Sequence, residues 1–162
     1  MEVFTIGHSN VTAERIVELL YRHGIELLVD VRSAPYSHHN PQFNREDFQH
    51  VLETANIGYS YAGQNLGGRP EDLSCYAGGQ VQYKLIMARP WYQQGIDRLL
   101  ELAHAQRTAI MCAEEDPLRC HRHHLITQTL LERGVTVWHI RGDARLEQAG
   151  PTPPEPEQLA LF

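Results

Sequence analysis

Residues 112–124 read Cys112-Ala113-Glu114-Glu115-Asp116-Pro117-Leu118-Arg119-Cys120-His121-Arg122-His123-His124, and an apolar run, Ala109-Ile110-Met111, leads into them. A helical pattern follows. The stretch is therefore expected to be the loop after a buried strand plus the first turns of the next helix. Asp116 suits an N-cap and Pro117 the first helical position. Cys120, His121 and Arg122 then fall in the opening turns, near the positive end of the helix dipole. A thiol, an imidazole, a guanidinium and two carboxylates crowd one rim, and no fold needs all of them there for stability alone.

On either side the same alternation recurs. Val3-Phe4-Thr5-Ile6 reads as a first strand and ends in the polar turn Gly7-His8-Ser9-Asn10. Thr12 caps a helix whose apolar face carries Ala13, Ile16, Val17 and Leu20. Leu27-Leu28-Val29-Asp30-Val31 has the continuous apolar character of a central parallel strand. Residues 32–43 carry two prolines and read as a loop, with Asn44 capping the next helix. Tyr59-Ser60-Tyr61 is a short third strand, Leu66-Gly67-Gly68 a turn, and Pro90 opens an amphipathic helix. After the central stretch comes a helix that stops at Gly134, then the strand Val135–Ile140. Strands alternating with amphipathic helices predict an α/β fold: a mostly parallel sheet of about five strands with helices on both faces, a Rossmann-like three-layer arrangement. The domain is expected over residues 1–146. Residues 147–162, rich in proline and glutamate, read as an extended tail.

Ligands of such sheets bind beyond the carboxyl ends of the strands. That rule gathers His8, Asp30 with Arg32, and Cys112 with Glu114 at one edge, although they are far apart in sequence. Cys120 is a candidate nucleophile with a depressed pKa, set against a small apolar filler under the helix. Asp30 and Arg32 read either as a catalytic acid with an anion anchor or as a structural ion pair. His8 with Glu114 reads as a general acid–base pair or, for His8, as a side chain bonding its own turn. Cys112, Cys120, His121 and His124 are the candidate zinc ligands if a metal is held, although a spacing of eight between the cysteines is not a usual hairpin spacing. A Cys-based phosphatase is excluded, because Leu118 stands where its arginine would be and the intervening loop is acidic. Neither a Walker-type nor a dinucleotide-type glycine loop is present, and the sequence leaves any cofactor unknown.

The 162 residues carry a net charge of -6, which rules out a bulk polycation and confines any nucleic-acid contact to a local patch. No apolar run is long enough for a bilayer and no signal-peptide pattern opens the chain, so no membrane role and a cytoplasmic location are expected. Three irregularly spaced cysteines, Cys75, Cys112 and Cys120, are expected as free thiols.

The motifs Thr5–Asn10, Asp30–Ser37 followed by Asn40–Asn44, the Leu66-Gly67-Gly68 turn, Cys112–Arg122 and the closing His139-Ile140 resemble, in the same order, the bacterial domain-of-unknown-function family 488. The resemblance implies a compact cytoplasmic α/β protein and no established reaction. By residue match it points to His8, Ser9, Asp30, Arg32, Pro35, Ser37, Gly67, Gly68, Cys112, Glu114, Cys120, His121 and Arg122. Of these, His8, Asp30, Glu114, Cys120 and His121 are expected to be catalytic. Ser9, Arg32, Ser37, Gly67, Gly68 and Arg122 are expected to bind ligand. The chain departs from the family pattern at His38 and His39, where relatives often carry arginines, and over residues 71–82.

The terminal residues Gln158-Leu159-Ala160-Leu161-Phe162 resemble the bacterial sliding-clamp-binding peptide, Gln-Leu-x-Leu-Phe. Leu161 and Phe162 would fill an apolar pocket, with Leu159 beside them and Gln158 held by polar contacts. The alternative is that these residues fold back on the domain's own apolar surface. The resulting expectation is a DNA-maintenance protein that acts on or binds nucleic acid or nucleotides at the strand-end rim and is recruited to the clamp by its tail. The rivals are a non-catalytic nucleotide- or phosphate-binding module and a zinc-binding structural or interaction protein.

Overall fold

The computed structural model describes residues 1–153. In chain order it contains β1 (Glu2–Gly7), α1 (Ala13–Arg22), β2 (Leu27–Asp30), α2 (Arg45–Thr54), β3 (Gly58–Tyr61), α3 (Gly63–Leu66), β4 (Tyr76–Ala77), β5 (Gln80–Val81), α4 (Tyr83–Met87), α5 (Pro90–Ala105), β6 (Thr108–Cys112), α6 (Gln128–Glu132), β7 (Thr136–Ile140) and β8 (Leu146–Gln148). The main sheet has six strands in the order β3-β2-β6-β1-β7-β8; β4 and β5 form a separate antiparallel ribbon. β3 to β7 in that order are parallel, and β8 runs antiparallel along β7.

Alternation along the strands builds two cores. Phe4, Ile6, Leu28, Ala109 and Met111 face α1 and α2, where they meet Ile16, Leu20, Phe48 and Leu52. Val3, Leu27, Val29 and Ile110 face the other way, against Ile96 and Leu99 of α5 and Leu125, Ile126 and Leu130 near α6. β2 and β6 have no exposed residue, as expected for the middle of a sheet covered on both faces. The α/β class, parallel sheet and flanking helices match the sequence reading.

Four local expectations need correction. Leu146–Gln148, which straddles the boundary drawn at residue 146, pairs with β7 as a sixth strand, and the Thr152 N–H bonds Gln128 Oε1 at 3.0 Å, so the packed domain continues past that boundary. Asn44 precedes α2 without capping it; its Oδ1 instead accepts from the Ser37 N–H at 2.8 Å and ties down the long loop. Asp116 and Pro117 begin only a single 3₁₀ turn, Pro117–Arg119. The helix proper starts after Cys120, whose extended backbone separates the two, and its first turns, Arg122–Thr127, are π-helical before α6. The Thr127 hydroxyl, which donates to the Arg122 carbonyl at 2.6 Å, accompanies the wider turn. Finally, Cys112 and Cys120 are joined as a disulfide, and Cys75 is the free, buried thiol among the described residues. Spacing in sequence did not reveal that the chain folds back over eight residues to bring the two sulfurs together. Among the described residues no helix is long and apolar enough to cross a membrane.

Candidate functional site at the strand-end rim

The carboxyl ends of β1, β2 and β6 sit side by side, and their backbones keep bonding beyond the sheet. His8 N–H reaches the Cys112 carbonyl at 3.0 Å, Ser9 N–H the Ala113 carbonyl at 2.8 Å, and Val31 N–H the Met111 carbonyl at 3.0 Å. Gly7 makes the approach possible, because a Cβ there would fall on the Glu114 carbonyl. The loops after the strands and the start of the π-helix enclose a cavity of about 480 Å³. Its wall includes Arg32, Ser33, Glu114, Cys112, Cys120 and His121, joined by Gly68, Arg69, Tyr83 and Arg119.

Behind the wall lie two buried polar clusters. In the first, Asp30 takes a bidentate grip from Arg32, Nε to Oδ1 at 2.9 Å and Nη2 to Oδ2 at 2.8 Å. The Arg32 backbone N–H and the Tyr59 hydroxyl also donate to it, at 3.1 and 2.6 Å. Four donors occupy both carboxylate oxygens, so Asp30 acts as the counter-charge of Arg32. Burial, followed by the neighbouring Asp30 charge, pushes the Tyr59 phenol far up, which keeps it a donor. His8 completes this cluster. Its Nδ1–H donates to the Ser9 carbonyl at 2.6 Å, its Nε2 faces Arg32 Nη1 at 3.4 Å, and its ring stacks on Phe43 at 4.3 Å. Burial lowers its pKa to about 4, so the ring is neutral. His8 therefore bonds its own turn, and no hydrogen bond joins it to Glu114, whose side chain is exposed.

The second cluster centres on Arg122, the largest fully buried side chain among the described residues. Nε donates to the Thr5 hydroxyl at 3.0 Å, Nη1 to Cys112 Sγ at 3.0 Å and to the Glu114 carbonyl, and Nη2 to the Glu115 carbonyl at 2.9 Å. Thr5 and His139 are register partners on β1 and β7. Their side chains meet at 2.6 Å, and His139 Nε2 meets His123 Nδ1 at 3.1 Å. Burial, then the Arg122 charge, lowers His139 to about 3, and burial also lowers His123. Burial brings Arg122 down to about 10, which leaves it protonated at neutral pH. Over the rim, Glu115 holds Arg141 bidentately at 2.9 and 3.2 Å.

His121 joins the rim to the glycine turn. Its Nε2 bonds the Val31 carbonyl at 3.0 Å, Nδ1 faces Cys120 Sγ at 3.7 Å, and its ring packs on Gly68, where a Cβ would come within 2.8 Å of it. Burial lowers its pKa to about 4. Cys120 stands just before the π-helix: its carbonyl accepts from His123 N–H at 3.1 Å and His124 N–H at 3.3 Å, and its sulfur faces the Arg122 N–H at 3.5 Å.

Of the residues predicted from sequence, Arg32, Glu114, Cys112, Cys120, His121 and Gly68 line the cavity, while His8, Asp30 and Arg122 support it from behind. Arg122, expected to bind ligand, is consumed by internal acceptors and does not line the cavity. Ser9 and Ser37 do not line the cavity. The Ser37 hydroxyl accepts from the N–H groups of His39 and Asn40, and Ser9 holds a turn at φ 50°. Gly67 packs against Ser33. The candidate zinc ligands do not converge. His124 Nε2 bonds the Leu118 carbonyl at 2.6 Å, and among the described residues no three Cys, His, Asp or Glu side chains form a metal-holding group. Gln158, Leu159, Leu161 and Phe162 lie outside the described residues.

Sequence reasoning missed Ser33, Arg69, Tyr83 and Arg119. Arg69 follows the Gly67-Gly68 turn directly and Arg119 lies inside the central stretch, so both had a positional signal. Tyr83 had none, because it directly follows residues 71–82, where the chain departs from the family pattern.

The model for the domain of unknown function DUF488 matches residues 12–128, a span that includes Asp30, Arg32, the glycine turn, both rim cysteines and Arg122. No curated protein and no solved structure matches the chain. A family match over most of the chain, on residues that build the strand-end rim, makes this protein a member of the DUF488 family.

Proposed function

We propose that the strand-end cavity binds the phosphate of a nucleotide or nucleic acid and that the C-terminal tail recruits the domain to the sliding clamp, in a DNA-maintenance role. The observation that carries the binding reading is the composition of the cavity wall. Three arginines, Arg32, Arg69 and Arg119, meet one carboxylate, Glu114, in a space of about 480 Å³, a size suited to a small-molecule ligand. Arg32 is neutralised by Asp30, so Arg69 and Arg119, both exposed, are the side chains that reach an incoming anion. The disulfide between Cys112 and Cys120 leaves neither sulfur as a free thiol in this state, so anion binding at the wall does not call on a cysteine nucleophile. The tail reading rests on residue order alone, Gln158-Leu159-Ala160-Leu161-Phe162 after a proline-rich linker. Tethering would raise the domain's concentration at DNA without strong intrinsic affinity, which suits a net charge of -6.

The binding test titrates the full chain with labelled nucleoside triphosphates and single-stranded DNA at low and high salt. Saturable, salt-weakened binding that drops at least ~10-fold in the Arg69→Ala/Arg119→Ala double variant is expected. Binding indifferent to both arginines overturns the cavity reading. The tail test is an anisotropy titration of the labelled C-terminal peptide against the clamp. A peptide that fails to saturate, or is unaffected by replacing Leu161 and Phe162 with alanine, removes clamp recruitment.

A further inference from the structure

Arg122 presents an unusual charge problem. It is 0% exposed, and none of the ion pairs among the described residues includes it. Three of the four groups that accept from its guanidinium cannot ionise in the neutral range: the Thr5 hydroxyl and the carbonyls of Glu114 and Glu115. The fourth, Cys112 Sγ at 3.0 Å from Nη1, becomes an anion when its thiol loses a proton. The other sulfur is also served by Arg122, through the backbone N–H at 3.5 Å. Both cysteines line the cavity, so the pair is within reach of a dissolved reagent, and Cys120 at 7% exposure is more open than Cys112 at 2%.

We propose that Cys112 and Cys120 form a thiol–disulfide exchange site for low-molecular-weight thiols and their disulfides, with Cys112 as the Arg122-stabilised thiolate and Cys120 as the sulfur that meets the reagent. In the reducing direction an external thiolate attacks Cys120 Sγ. The new sulfur–sulfur bond forms as the Cys112–Cys120 bond breaks, and the released electron pair stays on Cys112, held by the Arg122 guanidinium. A second thiolate attacks the mixed disulfide at its external sulfur, leaves as the reagent's disulfide and frees Cys120, which takes a proton from water in the cavity. Two reagent thiolates are thereby oxidised by two electrons and the protein disulfide is reduced. The oxidising direction is the reverse: Cys120 forms the mixed disulfide, and Cys112 thiolate closes the bond and expels the reagent thiolate. A guanidinium beside Cys112 favours it as both leaving group and closing nucleophile at neutral pH. This assignment is independent of which anion the cavity takes.

The test uses the full chain with Cys75→Ala, so that only the pair is counted. The protein is equilibrated without oxygen in mixtures of reduced and oxidised glutathione, acid-quenched, alkylated and weighed. Reversible conversion between a doubly alkylated and an unalkylated chain is expected. Cys112→Ser should accumulate one glutathione adduct, on Cys120, while Cys120→Ser accumulates at least ~10-fold less. In Cys120→Ser, the ultraviolet absorbance of the Cys112 thiolate should titrate with a midpoint below the ordinary thiol value of roughly 8.5. A pair that stays reduced in oxidised glutathione under native conditions overturns the proposal. So do equal adducts in the two serine variants, or a Cys112 midpoint at or above that ordinary value. The nucleotide titration is read separately, so failure here leaves the anion site standing.

Discussion

Arg32, just past the end of β2, and Arg122, at the start of the π-helical turns, are both buried, and they are compensated in different ways. Arg32 meets a carboxylate, Asp30, in a bidentate pair. Arg122 meets a hydroxyl, two carbonyls and a sulfur. The first arrangement is a closed unit, since the charge, its counter-charge and the Tyr59 and His8 contacts all lie within one cluster. The second spreads one charge over dipoles from β1, the loop after β6 and the disulfide, so its stability depends on those elements staying in register. In front of both, Arg69 and Arg119 are exposed to water, and Arg119 also stands 4.0 Å from the exposed Asp116 carboxylate. Burial thus sorts the rim arginines into architectural ones behind the wall and available ones on it.

The largest effect should come from Arg122. Arg122→Met strands the carbonyls of Glu114 and Glu115 and the Thr5 hydroxyl in a dry interior, and is expected to cost about 3–5 kcal/mol in urea denaturation. A cost under about 1 kcal/mol would mean that the network does not brace the rim. Asp30→Asn comes next: it leaves Arg32 charged without a partner and is expected to cost about 3 kcal/mol. Because that pair is self-contained, Asp30→Asn combined with Arg32→Met should recover much of the loss, and purely additive costs in the double-mutant cycle would break the contrast with Arg122.

A smaller effect concerns acid. Buried His8 and His139 are neutral in the fold, with pKa values lowered to about 4 and about 3, whereas in the unfolded chain they protonate near the ordinary histidine value of 6.5. Their contribution is complete above that value and is lost as pH falls from it toward the folded values, by up to about 1.4 kcal/mol per pH unit for each ring. Urea midpoints measured from neutral to mildly acidic pH should therefore decline, and His139→Gln should make the decline shallower. A flat profile would show that these rings accept protons in the fold. The smallest effect is expected at the wall: Arg69→Ala and Arg119→Ala should each change stability by less than about 0.5 kcal/mol in the same assay, while weakening nucleotide binding. A large loss of stability would move them into the architectural group.

Much of this was legible before any coordinates. The continuous apolar runs of Leu27–Val31 and Ala109–Met111 and the helical apolar pattern of Pro90–Ala105 carry the α/β class, because burying those faces leaves few other solutions. The rule that polar residues past parallel strands share an edge placed Arg32, Cys112 and Glu114 together. Strand β8 was not legible, because Leu146, Glu147 and Gln148 are all exposed and carry no apolar period. Nor was the break at Cys120, where composition supports a continuous helix and the backbone turns out extended.

From the amino-acid order alone came the residue types at the rim and the edge at which they gather, since periodicity and chain direction are local properties. Which arginine is buried, which carboxylate is already spent and which sulfurs face each other depended on the packing of β1, β6 and the π-helical turn. Those outcomes follow from non-local competition for donors and acceptors in a dry interior: Thr5 and Glu115 claim Arg122, Asp30 claims Arg32, and Arg69 and Arg119 remain at the cavity mouth.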